Sequence, residues 1–175
     1  MFLIFDLSIF NLIYSLVGRS ICLDTIAIFL AQDLIYFFPF FAGLAYFLQA
    51  DKKFLKITLL TLICLSIVFI IEFFFKRFHF RARPFAFLEF SPLIDFSPKE
   101  ASFPSLHTAL SFAVAFVVYF INKNWGVFFL VLALSIGFSR IYVGVHWPSD
   151  IIAGFFLAFV SFISSKYFLK RLIFN

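Results

Sequence analysis

Charge is what this chain has least of. Asp, Glu, Lys and Arg make up 13% of its 175 residues, apolar residues make up 64%, and the mean hydropathy is +1.09. Soluble globular domains carry roughly 25% charged residues, so a composition this poor in charge belongs in a bilayer. Cysteine is also scarce: Cys22 and Cys64 are the only two, and Cys64 lies in an apolar run where it acts as a small hydrophobe. That excludes a disulfide framework and a cysteine-based metal site. No Gly/Ser/Pro-rich linker and no run of like charge divides the chain, so residues 1–175 are expected to form one domain. The opening MFLIFDLS has neither a basic n-region nor a small-residue cleavage site, so the first segment is expected to stay in the mature protein. The net charge of +5 does not point to nucleic acid, because the basic residues sit between apolar spans; anionic lipid is the expected partner. The 33 phenylalanines follow no repeat period, and no functional reading attaches to them.

What is present is a series of apolar runs near residues 23–48, 54–75, 105–121, 125–141 and 150–169, several close to the ~20 residues that cross a hydrocarbon core. They predict an all-α, polytopic transmembrane helix bundle of five spans. Ahead of them, Ser8, Asn11, Ser15 and Arg19 recur at three- and four-residue spacing. That gathers them on one helical face, either of an interfacial helix packed flat on the bundle or of a short sixth span. Alternating connections put 49–53, 122–124 and the C-terminus on one side and 76–104 and 140–149 on the other. Lys52, Lys53, Lys56, Lys123, Lys166, Lys170 and Arg171 mark the first side as cytoplasmic. The second carries Arg19, Lys76, Arg77, Arg81, Arg83, Lys99 and Arg140, and is expected to face the periplasm or exterior of an inner membrane.

Three stretches on that second side hold nearly all the reactive side chains: Lys76 with Arg83-Pro84, then Pro104-Ser105-Leu106-His107, then Ser139-Arg140 with His146 and Asp150. Antiparallel helices over 105–121 and 125–141 bring His107 and Arg140 to one membrane depth. Asp150, four residues after His146, falls one helical turn along, where a carboxylate can fix the tautomer of an imidazole. A phosphate monoester carries about two negative charges near neutral pH. Lys76, Arg83 and Arg140 can hold its oxygens, together with Ser105 and the backbone amide of Leu106 at a helix start. His146 is then read as the nucleophile and His107 as the general acid that protonates the departing oxygen and later activates water. Such a cycle needs no metal or other cofactor.

Those ten positions resemble the three-part signature of the type 2 phosphatidic acid phosphatase superfamily: Lys76, six residues, Arg83-Pro84; Pro104-Ser105-x-His107; Ser139-Arg140, five residues, His146, three residues, Asp150. The likeness covers about residues 23–169. It is similar in form to short bacterial enzymes acting on undecaprenyl diphosphate, phosphatidylglycerophosphate or lipid A 1-phosphate. It implies a metal-independent phosphatase working on a phosphorylated membrane lipid, with the roles given above. One position departs: Leu106 stands where glycine is common, which keeps a backbone amide and is expected to narrow the approach to the pocket.

Other residues carry weaker signals. A cation at a helix end, such as Lys76 or Arg140, can simply snorkel to the interface, but snorkelling does not explain paired histidines. His79 reads as a solvated loop residue. Arg77 and Arg81 read as juxtamembrane charges or as attractors of anionic headgroups. Asp33, with Gln32 beside it, is expected to face the bundle, protonated or paired. Trp125 and Trp147 are expected to be interface anchors. Segment 85–103, with Glu89, Asp95 and Glu100, is expected to be an irregular cap whose acids balance nearby cations. Two other function classes compete: a transporter or flippase-like protein with a polar path, which would show symmetry between halves that the sequence lacks, and an inactive scaffold, which would not keep both histidines and Asp150.

Overall fold

The structure, a computed structural model, describes residues 2–37, 43 and 54–174. In chain order its helices are α1 (Phe2–Tyr14), α2 (Ile21–Gln32), α3 (Phe54–Phe78), the short α4 (Pro84–Leu88), α5 (Leu106–Ile121), α6 (Lys123–Tyr142) and α7 (Pro148–Phe174). Lys52, Lys53 and the loop 49–53, with much of the second half of the apolar run 23–48, lie outside the described residues.

Helix α5 forms the axis, and α3, α6 and α7 pack around it. From Thr108 to Val118 it is buried on almost every side, as expected of a helix that is apolar all round. Lipid tails are as apolar as leucine, so hydrophobicity does not draw membrane helices together; close packing of small residues does. Ala109, Ala113 and Ala115 of α5 accordingly meet Ala133 of α6, Ala158 of α7 and Cys64 of α3 in one core. Asn122 alone joins α5 to α6, and its side chain caps α6 by accepting from the amides of Asn124 (3.0 Å) and Trp125 (3.1 Å). Helices α1 and α2 lie outside this core, both against α6, and α1 also against α7.

Among the described residues, three helices are long and apolar enough to cross a membrane: α3 over Lys56–Phe78, α6 over Lys123–Tyr142 and α7 over Pro148–Leu169. The predicted span 105–121 corresponds to the apolar but shorter α5, and the described start of the predicted span 23–48 contains the apolar α2. Ser8 and Asn11 of α1 are exposed, as their spacing predicts, Ser15 and Arg19 are exposed in the turn that follows, and the opposite face of α1 buries Asp6 and Phe10.

Two expectations are overturned here. The buried stripe of α2 runs through Ala27 and Ala31 and on to Leu34, at i, i+4 and i+7. That leaves Gln32 and Asp33 on the exposed side of the helix end, not facing the bundle. Segment 85–103 is also more than an irregular cap. It begins as α4 and buries Phe85 and Ile94, with Phe90, Leu93 and Phe96 alongside, against α2 and residues 142–145. Its apolar residues outnumber its acids, and they make it a packed wall.

The α5–α6 turn leaves no room for a side chain at Gly126, where an added Cβ would lie 2.1 Å from the Cα of Tyr119. Backbone cannot swing aside as a flexible side chain can. Gly126→Ala is therefore expected to destabilise the bundle by about 1–3 kcal/mol despite its better helix propensity, read as a lower unfolding midpoint in detergent.

Candidate active site

The polypeptide turns back on itself at the end of α6. Val143 N–H donates to the Ser139 carbonyl, Gly144 N–H to that of Ile141, and the amides of Val145 and His146 both reach the Arg140 carbonyl at 3.2 Å. Gly144 sits at φ +88, and a Cβ there would meet the Phe90 ring at 2.8 Å, so the reversal requires glycine. This hook turns His146 inward to 2% exposure beside the start of α7.

The chemistry of His146 follows from its neighbours. Arg83 Nη1 lies 3.2 Å from His146 Nε2 and also donates to the Val145 carbonyl at 2.9 Å. A guanidinium has no acceptor, so Nε2 must present its lone pair and the ring proton must sit on Nδ1. Nδ1 faces Asp150 Oδ2 at 3.4 Å, long for a hydrogen bond in a ligand-free site. Burial first, and then the charges of Arg140, Arg83, Lys76 and His107, hold the imidazole well below its usual pKa, so it is neutral near pH 7. Those four groups come from α6, the coil over 79–83, α3 and the first turn of α5, and Arg83 is in direct contact with His146.

Both arginines are sealed from water, Arg83 at 0% and Arg140 at 1% exposure, yet their donors are not all used. Arg83 Nη2 donates to the Ala101 carbonyl at 3.2 Å and stands 3.8 Å from Glu100; Arg140 Nη1 donates to the Ala31 carbonyl at 2.8 Å. Among the described residues, Arg83 Nε and Arg140 Nε and Nη2 have no hydrogen-bond partner. Leaving a buried charged donor unmet costs on the order of 1–3 kcal/mol or more, so these N–H groups mark a place for an anion. The Phe96 ring lies 3.9 Å from the Arg83 guanidinium carbon and 5.3 Å from that of Arg140, bracing both. Burial draws Arg83 down to about 10, against the pull of Glu100, Asp150 and Glu72, and it remains charged at neutral pH.

Lys76 Nζ pairs with Glu72 at 2.5 Å, one turn back along α3. Ser105 is the N-cap residue of α5 but makes no capping bond; its hydroxyl accepts from Thr108 Oγ1 at 3.0 Å, and its amide donates to the Asp150 carbonyl at 3.2 Å. Leu106 is half-buried and packs against the core cluster around α5. His107 is half-buried on the first turn of α5. Glu100 does balance a cation, as the acids of its segment were expected to.

Trp147 is not an interface anchor: it is 2% exposed, its indole N–H donates to the Ala82 carbonyl at 2.9 Å, and its ring meets Phe10 and Phe87. Pro148 and the hook turn it into the protein instead of toward the bilayer boundary. Trp125, by contrast, is exposed at the far end of α6. Arg81 is not a free juxtamembrane charge either. It pairs with Asp6 and with Asp150 Oδ1, the latter at 2.6 Å. Asp6 escaped the sequence reading altogether, although one acid inside an apolar segment is itself a signal. His79 is exposed, as expected of a loop residue, and packs edge-on against Phe103. Beside it an apolar cavity of ≈ 850 Å³ opens, lined by Leu3, Phe5, His79, Arg81, Phe103, Ser149, Ile152 and Ala153. Among the described residues, no three His, Cys, Asp or Glu side chains cluster so as to hold a metal ion.

The buried end of this helix bundle sets an imidazole nitrogen 3.2 Å from a guanidinium, next to guanidinium donors that bond nothing among the described residues. Residues 55–174 match the PAP2 superfamily, and the chain belongs to that superfamily as a membrane phosphatase of the type 2 phosphatidic acid phosphatase kind. It is 32% identical to the bacitracin transport permease protein BcrC of Bacillus licheniformis, over 89% of this chain and 76% of that one. It is 30% identical to the undecaprenyl-diphosphatase BcrC of Bacillus subtilis, over 87% of this chain and 78% of that one. The crystal structure of Aquifex aeolicus LpxE superposes with a TM-score of 0.75 at 27% identity, covering 93% of this chain and 95% of that one.

If the unspent donors await an oxyanion, millimolar inorganic phosphate or orthovanadate should raise the unfolding midpoint of the detergent-solubilised protein. Arg140→Ala should remove most of that rise. An equal rise in the variant would place the anion elsewhere.

Proposed function

We propose that this protein hydrolyses the phosphate or diphosphate of a membrane lipid through a phosphohistidine on His146, without a metal ion. The observation that carries the reading is the lone pair of His146 Nε2 held beside two buried arginines with unused donors. In the first step Nε2 attacks phosphorus as the bond from phosphorus to the lipid-side oxygen breaks, and protonated His107 gives its proton to that oxygen. Asp150 holds the Nδ1 proton and steadies the positive charge that develops on the ring. In the second step His107 takes a proton from water, the resulting hydroxide attacks phosphorus, and the P–N bond breaks to release inorganic phosphate. Lys76, Arg83, Arg140, the Ser105 hydroxyl and the Leu106 amide hold the oxygens, and supply by fixed charge what a metal would otherwise supply.

The name of the Bacillus subtilis relative favours undecaprenyl diphosphate as substrate, ahead of lipid A 1-phosphate and phosphatidylglycerophosphate. The other BcrC relative is named for transport. A transport path would run polar groups through the bilayer midplane, whereas here the ionisable residues collect where α3 and α6 end and α5 and α7 begin. We further propose that residues 1–175 form one domain, that α2 with the residues after it and α5 complete five crossings, and that α1, at 13 residues, lies against the bundle without spanning it. The lysine-rich ends, with Lys123 and Lys166, then face the cytoplasm and the site faces the periplasm or exterior.

Purified protein is expected to release phosphate from a panel of lipid phosphates in EDTA, fastest from undecaprenyl diphosphate. His146→Ala should abolish release. Activity that vanishes on chelation and returns with a divalent ion would overturn the metal-free reading. Asp150→Asn should fold normally and slow phosphorylation of the histidine; Lys76→Ala should lower kcat, where a merely snorkelling lysine would leave it near wild type.

A further inference from the structure

Asp6 is fully buried, lies in the N-terminal helix outside the matched family region, and spends both carboxylate oxygens on groups beside the site. Its Oδ1 accepts the Ser149 amide at 2.8 Å, and Oδ2 accepts the Ser149 hydroxyl at 2.7 Å and Arg81 Nη2. Arg81 Nη1 in turn donates to the Ser149 hydroxyl at 2.7 Å and to Asp150 Oδ1 at 2.6 Å. The other oxygen of Asp150 accepts the Trp147 amide at 2.9 Å and faces His146 Nδ1.

We infer that Asp6 and Arg81 are positioning residues for the histidine nucleophile, acting through Asp150; the inference rests on the phosphohistidine reading above. The physical argument is rotational. A carboxylate turns about its last torsion through a broad, two-fold well, so an Asp held by the Trp147 amide and the Ser102 hydroxyl, without a charged partner, keeps more freedom. Arg81 pins the second oxygen, and the plane of the group is then fixed with Oδ2 aimed at Nδ1. Arg81 could not do this alone: its stem is half-exposed, and an unanchored guanidinium would drift. Asp6, seated on α1 and bonded to the first turn of α7, fixes the other edge of the fork. A planar guanidinium bridging two carboxylates transmits position in a way a lysine ammonium does not. Asp6 also leaves Arg81 shared between two acids, so the charge of Asp150 is not wholly cancelled and still supports the imidazolium that forms on attack.

The test is a double-mutant cycle on the whole protein in detergent. Asp6→Asn is expected to lower kcat roughly 10- to 100-fold, the scale on which an outer partner of an orienting carboxylate acts, with KM within about twofold of wild type. Arg81→Gln should do the same, Arg81→Lys should recover only part, and Ser8→Ala on the exposed face of α1 should change nothing. In an Asp150→Asn background, Asp6→Asn should cost little more, because the group it positions is already gone. Should Asp6→Asn misfold, Arg81→Gln removes the bridging guanidinium with both acids in place and carries the cycle. Wild-type kcat in a folded Asp6→Asn or Arg81→Gln protein, or an equal loss in both backgrounds, overturns the positioning role. Loss confined to KM or to thermal stability overturns it too. Wild-type protein that releases no phosphate, or a His146→Ala variant that still does, would instead bring down the function reading beneath it.

Discussion

Two buried guanidinium groups with donors left over are the constraint from which the rest of this structure follows. A cation taken out of water loses several kcal/mol of solvation and regains it only through full hydrogen bonding and opposite charge. Arg83 is partly compensated, by the Val145 and Ala101 carbonyls, by the Phe96 ring and at longer range by Glu100. Arg140 has the Ala31 carbonyl and a more distant share of the same ring. The shortfall is greatest where an incoming anion would make up the difference. A substrate with a compact double charge therefore gains more from this site than a neutral or diffuse one.

Keeping such a site dry explains the architecture around it. The alanine-lined contacts of α5 close the bundle below, and the hook after α6 sets His146 and Trp147 against α1 and the 80–83 coil. Segment 84–96 closes the side facing α2. Each of these contacts is apolar packing carried right up to a charged group. That lowers the local dielectric and strengthens every bond to the anion.

The sequence made the helix pattern and the motif residues legible because both are written in short-range spacing. The ends of α3, α6 and α7 fall within a few residues of the apolar runs, and the histidines, arginines and Asp150 stand at fixed intervals. Contacts between segments far apart in sequence were not legible. Trp147 next to a proline looks like an interface residue until Phe10 and the Ala82 carbonyl, 137 and 65 positions away, are seen to enclose it. Arg81 looks solvated until Asp6 arrives from the N-terminus. Asp33 was misjudged for the opposite reason. Its place in an apolar run says nothing about angle around the helix, and the stripe through Ala27, Ala31 and Leu34 turns it outward.

The charge pattern sharpens the electrostatic argument. Lys76 is held by Glu72, Arg81 by Asp6 and Asp150, and Arg83 has Glu100 within reach; among the described residues, Arg140 has no carboxylate partner. Four cations thus stand with four acids, so net positive charge is not what draws an anion here. Attraction must come from arrangement: donors fixed toward one place, their counter-charges anchoring them from elsewhere, and one cation left without an acid of its own. Such an arrangement need not reorganise when negative charge builds up on the departing oxygen as its bond to phosphorus breaks. The acids beside the cations are therefore as much a condition of the chemistry as the cations themselves.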